Sequence, residues 1–242
     1  MILVGTSGFI YSNWKGKFYP NDLPTSKWLE YYVNYFNTLE LNSMFYRIPK
    51  ESTIKSWKYK LKKLNLILSI KANKTITHIY KLKNIEKTNE FLHLISPLKD
   101  YLGAVLFQLP PSLRYDYSLL ENFLNEIYKD FKITIEFRHK TWYNDKVFEL
   151  LKKFNIALVW HDFNQPFVLE KTADFVYTRF HGYINKYKGS YPDEFFEMII
   201  KRANNGFCYF NNTDDVSAPY DAIRFKKFIG GKNKISREYT LC

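Results

Sequence analysis

Eight short apolar runs recur along this chain, and each closes on polar or charged residues that a buried strand ordinarily excludes. They are Leu3 to Ser7, Thr38 to Asn42, Ile67 to Lys71, Ala104 to Gln108, Ile133 to Arg138, Ile156 to Asp162, Phe175 to His181 and Phe207 to Asn211. Burying an unpaired charge is costly, so a pattern repeated this regularly needs a structural reason. Between the runs lie stretches with helical spacing. Ser26 can cap a helix through Phe36, Ser118 to Glu121 matches a capping box, and Asn144 opens a segment carrying Val147, Phe148 and Leu151. Pro192 suits a first helical turn, and a last helix is expected from about Ala218 to Phe228, stopping at Gly230-Gly231. Strand and helix alternating about eight times predict a parallel sheet, and eight such units close it into a barrel.

The predicted fold is therefore α/β, a single TIM-type (β/α)8-like barrel with parallel strands over residues 1–230, followed by a polar C-terminal tail over 231–242. Strands are expected to begin near residues 2, 37, 66, 103, 132, 156, 175 and 207. A length of 242 residues suits such a barrel, which typically takes roughly 250. No Pro/Gly/Ser linker divides the chain. The N-terminus lacks a basic region followed by a long apolar one, and no stretch nears the ~18 apolar residues that span a bilayer. Two cysteines, Cys208 and Cys242, give no disulfide framework, which suits a reducing compartment. The expectation is a cytoplasmic protein without a membrane partner.

Side chains alternate faces along a strand, so each run separates into two registers. Ile133, Ile135 and Phe137 oppose Thr134, Glu136 and Arg138, and Val176 and Phe180 oppose Tyr177, Arg179 and His181. The apolar register must pack beneath helices, which turns the polar one into the barrel. Late in each strand, these residues fall at the C-terminal mouth, where barrel enzymes hold their chemistry. The predicted mouth holds Ser7, Glu40, Asn42, Lys71, Gln108, Glu136, Arg138, Asp162, Arg179, His181 and Asn211. On the sixth strand either His161 or Asp162 faces inward, and the strand-end position favours Asp162. An interior plugged by ion pairs is the structural alternative, but Val, Ile and Leu fill a barrel at less cost.

The leading expectation is an enzyme of hydrolase, isomerase or lyase type acting on a small polar substrate, anionic or sugar-like. Glu136 is taken as general acid or base, His181 as its proton-transfer partner, and Asp162 as the group that tunes His181. Arg138, Arg179 and Lys71 would hold negative charge, with Glu40, Asn42, Gln108, Asn211 and Trp142 completing the substrate site. Tyr11, Trp14, Tyr19, Phe45, Tyr46 and Tyr183 offer stacking surfaces on the loops, and His78 could reach the mouth from its own. Glu40, Glu136, Asp162 and His181 would also suit a divalent metal, but three cations share the mouth and repel one, so no metal and no cofactor are expected. Two other function classes stay open: a nucleic-acid-binding or phosphodiester-cleaving barrel, and a ligand-binding barrel without catalysis. The formal charge of +12 favours the former, but only seven of the 36 basic residues are Arg, and scattered Lys carries no site information. Oligomeric state is not encoded in any feature of the sequence.

Gly5-Thr6-Ser7-Gly8-Phe9, Glu40-Leu41-Asn42-Ser43 with Phe45-Tyr46-Arg47, and Lys71-Ala72 with Thr77-His78 also carry a resemblance. So do Phe107-Gln108-Leu109-Pro110-Pro111, Glu136-Phe137-Arg138-His139 with Trp142, Tyr177-Thr178-Arg179-Phe180-His181-Gly182 and Tyr209-Phe210-Asn211-Asn212. Together, in this order, they resemble the YecE-like family, domain of unknown function 72. The resemblance implies a TIM barrel and the positions of these motifs; it implies no reaction. Met44 departs from the family pattern, which usually has Thr there.

Overall fold

The apolar runs become strands β1 (Ile2–Thr6), β2 (Thr38–Leu41), β3 (Ile67–Lys71), β4 (Leu102–Gln108), β5 (Ile133–Glu136), β6 (Ala157–His161), β7 (Val176–Phe180) and β8 (Gly206–Phe210). Each starts within one residue of its expected position. This computed structural model describes residues 1–163 and 167–238, with side chains through residue 230. The strands form an eight-stranded sheet in the order β1-β8-β7-β6-β5-β4-β3-β2. All its paired neighbours run parallel. Between its two ends a parallel bridge joins Ser7 to Glu40, and the Gly8 amide donates to the Glu40 carbonyl at 2.8 Å. The barrel is a nearly closed (β/α)8-like one.

The seam between β1 and β2 is closed in an unusual way. The Tyr32 hydroxyl donates to the Thr38 carbonyl at 3.0 Å and accepts from the Thr6 amide at 2.9 Å, standing in for a rung of the ladder. Both backbone groups are thereby satisfied inside a dry interface, where an unpaired one would cost about 1–3 kcal/mol.

Helices α1 (Trp28–Tyr32), α2 (Ser43–Tyr46), α3 (Glu51–Leu64), α4 (Ile85–Ile95), α5 (Tyr117–Glu126), α6 (Asp145–Lys153), α7 (Asp193–Ile200) and α8 (Ser217–Glu238) lie between and after the strands. Asn144 caps α6 by accepting from the Val147 amide, as the sequence spacing predicts. Three expectations are corrected. Ser26 caps nothing: a 3-10 turn over Thr25–Lys27 leads into α1, which ends at Tyr32. Asp116 rather than Ser118 caps α5, accepting from the Leu119 amide at 2.9 Å. The last helix does not stop at Gly230-Gly231 but continues to Glu238. Glycine costs a helix interior about 1 kcal/mol but does not break its hydrogen bonds. The rest of the expected tail, 239–242 with Cys242, lies outside the described residues. No helix occurs among the described residues between β6 and β7. None of the described helices is long and apolar enough to cross a membrane.

Two packed layers follow from the strand alternation. Ala104, Leu106, Ala157, Val159, Tyr177, Phe207 and Tyr209 fill the interior. Their alternates Val105, Phe107, Leu158, Trp160, Val176, Phe180 and Phe210 pack under the helices. The hydroxyls of Thr38, Tyr209 and Ser69 bond to one another within this interior, but charge enters it only toward the C-terminal ends, which sets a charged layer on a largely apolar floor.

Candidate functional site

The charged layer is an alternating chain of acids and bases. At its centre Arg179, only 2% exposed, donates through Nε and Nη2 to Glu40 Oε1 at 3.1 and 2.9 Å, and through Nη1 to Glu136 Oε2 at 2.6 Å. Tyr177 donates to Glu40 Oε2 at 2.7 Å, and the Ser7 hydroxyl donates to Oε1 of the same carboxylate. Asn42 Nδ2 in turn donates to Ser7 Oγ at 2.8 Å. On the other side the second Glu136 oxygen contacts Arg138 Nε. Arg138 Nη2 lies 3.2 Å from His181 Nε2. A guanidinium has only donors, so Nε2 must accept and the imidazole proton sits on Nδ1, facing Asp162 Oδ1 at 3.1 Å. The His181 amide donates to the same oxygen at 2.8 Å, and the Tyr191 hydroxyl donates to Asp162 Oδ2. Strands β2, β5 and β7 thus contribute one unbroken network, with both glutamates fully buried beneath it.

Above the network opens a cleft of about 380 Å³, whose walls include Tyr11, Asn42, Lys71, Gln108, Arg138 and Asn211. A second lobe of about 280 Å³ shares Lys71, Gln108 and Arg138 with it and adds Phe45, Phe163 and Lys186. Of the predicted substrate residues, Asn42, Lys71, Gln108, Arg138, Arg179 and Asn211 all reach this space. Glu40, Glu136, Asp162 and His181 belong to the network below it. Trp142 does not belong to the mouth. It is fully buried, stacked on Phe137 at 4.7 Å, with its indole N–H donating to the Leu113 carbonyl. Trp14 and Tyr19 likewise pack in the core, whereas Tyr11, Phe45 and Tyr46 line the clefts. A groove of about 710 Å³ between α5 and α6 is larger but lies on the outer flank, away from every charged residue of the mouth.

The sixth strand needs a correction. His161 continues the inward register of Ala157 and Val159, and the last ladder pair is His161 with Arg179. Asp162 follows the strand, so alternation does not fix its direction; it turns to hold His181 from the loop. Three contributors escaped the sequence reading. Tyr191 anchors Asp162, Tyr187 lines both lobes, and Phe163 lies 4.0 Å under the Arg138 guanidinium. All three sit on loops without period, so no spacing marks them. Among the described residues, no group of three or more His, Cys, Asp or Glu side chains is placed to hold a metal ion. The acids of the mouth are bonded to guanidinium, imidazole and hydroxyl groups instead.

A family model described as a protein of unknown function, DUF72, matches residues 3–240. The chain belongs to the DUF72 family. A DUF72 protein of known crystal structure from Thermotoga maritima is 28% identical, with a TM-score of 0.83 over 95% of this chain and 99% of that one. Another from Enterococcus faecalis, 21% identical, shares the fold with a TM-score of 0.76 over 94% of each chain. The UPF0759 protein YecE of Escherichia coli is 28% identical over 117 residues, which cover 48% of this chain and 43% of YecE. The match thus spans less than half the length of that curated relative.

Electrostatics divides the DUF72 mouth into groups that hold their charge and groups that do not. Although burial opposes it, the neighbouring Arg138 and Arg179 hold the Glu136 carboxyl well below the usual carboxylate range. Burial, assisted by Arg179 and Arg138 and opposed by Asp162, pushes His181 down to about 4. Burial, with help from Arg179 and Arg138, brings Lys71 down to about 7. The His181 value predicts acid lability. Below an ordinary imidazole value near 6.5 the unfolded chain binds a proton that the folded chain refuses until about pH 4. Stability should therefore fall across that window, by about 3 kcal/mol from this group alone. Urea unfolding at pH 7.5, 6, 5 and 4.5 reads it, and a midpoint that stays flat down to pH 4.5 removes His181 as a buried neutral imidazole.

Proposed function

We propose that this DUF72 protein is an enzyme acting on a small polar substrate, anionic or sugar-like, in the cleft at the C-terminal mouth of its barrel. One observation carries the reading: Glu40, Glu136 and Asp162 are withdrawn into the network below, so the cleft presents Arg138 and Lys71 with the amides of Asn42, Gln108 and Asn211, against the exposed Asp214 as a carboxylate on its wall. Cations facing a cleft above neutralised acids favour a negatively charged guest, and three amides supply donors and acceptors for hydroxyl groups.

The roles divide by charge behaviour. Arg138, its guanidinium fixed by Glu136, His181 and the Phe163 ring, grips the anion. Glu136 and Glu40 position the two arginines. A carboxylate held this far below its ordinary range is a weak base, so Glu136 does not fill the general-base role expected for it, and the reactive group facing the cleft is Lys71, which titrates near neutrality. His181 and Asp162 act as an orienting pair rather than as a proton carrier, because the His181 Nε2 lone pair is already committed to Arg138.

Thermal-shift and calorimetric titration with phosphorylated and carboxylated sugars, followed by mass-spectrometric turnover assays on the binders, tests this reading. Replacing Arg138 by methionine should weaken binding of anionic members roughly 10- to 100-fold, the worth of a charge-assisted bond. Equal affinities for the two proteins would take Arg138 out of the site. The phosphodiester reading draws on the charge of +12 and on Lys186 at the cleft rim, and requires nucleic-acid binding that collapses with salt. Filter binding that is absent even at low salt ends that alternative.

A further inference from the structure

Lys71 differs from the charged groups of the network below the cleft. It ends β3, on the inward register with Ser69, and is only half-buried. Its ammonium lies 4.1 Å over the Phe45 ring, which also meets the Tyr46 and His78 rings in T-shaped contacts at 5.0 and 5.1 Å. Among the described residues it makes no ion pair and no hydrogen bond, since Glu40 and Glu136 are both occupied by guanidinium groups. It lines both lobes of the cleft, beside Arg138 and Gln108 in each. A lysine whose task is to neutralise a carboxylate would not sit this way. An amine that must attack something has to be uncommitted, open to a cavity and poor in proton, and burial, helped by the cations nearby, supplies the last condition.

We propose that Lys71 is the nucleophile that forms an imine with a small aldehyde or ketone carrying an anionic group, which Arg138 receives. The inference rests on the cleft being the anion-binding site argued above and names the reacting function of its substrate. The amine lone pair adds to the carbonyl carbon while the C=O π pair moves to oxygen. Both amine protons leave with that oxygen as water, and the nitrogen lone pair completes the C=N bond. No oxidant, metal or further reactant is needed. Taking up one proton from solvent, the imine nitrogen becomes an iminium that withdraws electrons from the neighbouring carbon, which serves the isomerase and lyase chemistries alike.

Reductive trapping tests it. The protein at pH 7 is incubated with dihydroxyacetone phosphate, pyruvate or pyridoxal 5′-phosphate, reduced with sodium borohydride and mapped by peptide mass spectrometry. With an amine that titrates at about 7, Lys71 holds ~10³-fold more free base at this pH than an ordinary lysine. A single adduct on the Lys71 peptide is expected, well ahead of the surface lysines and reduced by competing inorganic phosphate. The phosphate and carboxylate probes tell which anion the site prefers. Lys71→Arg should keep the phosphate-induced thermal stabilisation and lose the adduct. Failure of all three probes to label Lys71, or labelling spread over the surface lysines with Lys71 no faster, overturns the proposal. If phosphate still stabilises the protein through Arg138 in that case, the anion site stands and only the imine falls. Labelling of Lys71 indifferent to both phosphate and Arg138→Met overturns the anion-bearing substrate class.

Discussion

Replacing Arg179 by methionine is expected to destabilise the protein by roughly 5 kcal/mol, because it strips the guanidinium from Glu40 and one of two from Glu136, both buried carboxylates. Glu40 and Glu136 are both fully inaccessible, and Arg179 reaches the first through Nε and Nη2 and the second through Nη1. Without it Glu40 keeps, among the described residues, only the hydroxyl donors of Tyr177 and Ser7, so it must either remain charged in a buried interior or take up a proton. For a domain of this size the loss corresponds to a fall in Tm of roughly 10–20 °C. Arg179→Lys should recover little, since one ammonium cannot reach two carboxylates with the planar fork that Arg supplies. The double variant Arg179→Met/Glu40→Gln should recover a substantial part, because the buried charge leaves with its partner. Thermal unfolding of the single and double variants decides the matter. A single variant within about 1 kcal/mol of the parent would mean that the network does not depend on this guanidinium.

How such a network could be read in advance depends on which part is considered. Glu40, Glu136, Arg138 and Arg179 were legible as inward-facing because a period of two assigns each a face, and because charges at the ends of apolar runs have no other place to go. Their partners were not legible. Glu40 on β2 meets Arg179 on β7 across the barrel interior, a contact set by closure of the whole sheet and not by spacing. Lys71 was legible as one of three cations, but its lack of a carboxylate partner follows only once Arg138 and Arg179 are seen to occupy both glutamates. The choice of Asp162 over His161 as the inward residue of the sixth strand failed as a register argument for a local reason: the strand ends at His161, and alternation ceases where the ladder does, so Asp162 reaches His181 from the loop instead. Trp142 was assigned to the substrate site as a loop aromatic able to stack, but the chain turns through a 3-10 segment there and folds the indole onto Phe137. Aromatic residues on loops carry no period, so burial and exposure look alike in sequence.

The seam of the barrel ties the network to the fold and gives the second large effect. Gly5 passes so close to β2 that a Cβ at this position would lie 2.2 Å from the Thr38 carbonyl oxygen and 3.0 Å from the Tyr32 hydroxyl. That oxygen is backbone and cannot swing aside, so Gly5→Ala must push β1 from β2 or bend β1 inward, at a cost of about 3 kcal/mol or more. The displaced strand carries Ser7, which bridges to Glu40 and accepts from Asn42 and Arg179. Tyr32→Phe attacks the same seam from the other side. It keeps the ring in the core but leaves the Thr38 carbonyl and the Thr6 amide without their shared hydroxyl, for about 1–3 kcal/mol. The two variants should differ in kind as well as size. Tyr32→Phe lowers Tm with anion affinity nearly kept, whereas Gly5→Ala lowers both, because only the second moves the backbone that positions Ser7 and, through Glu40, Arg179. A Gly5→Ala protein with the parent Tm would show that the seam can open without loss, and would detach barrel closure from the order of the charged layer.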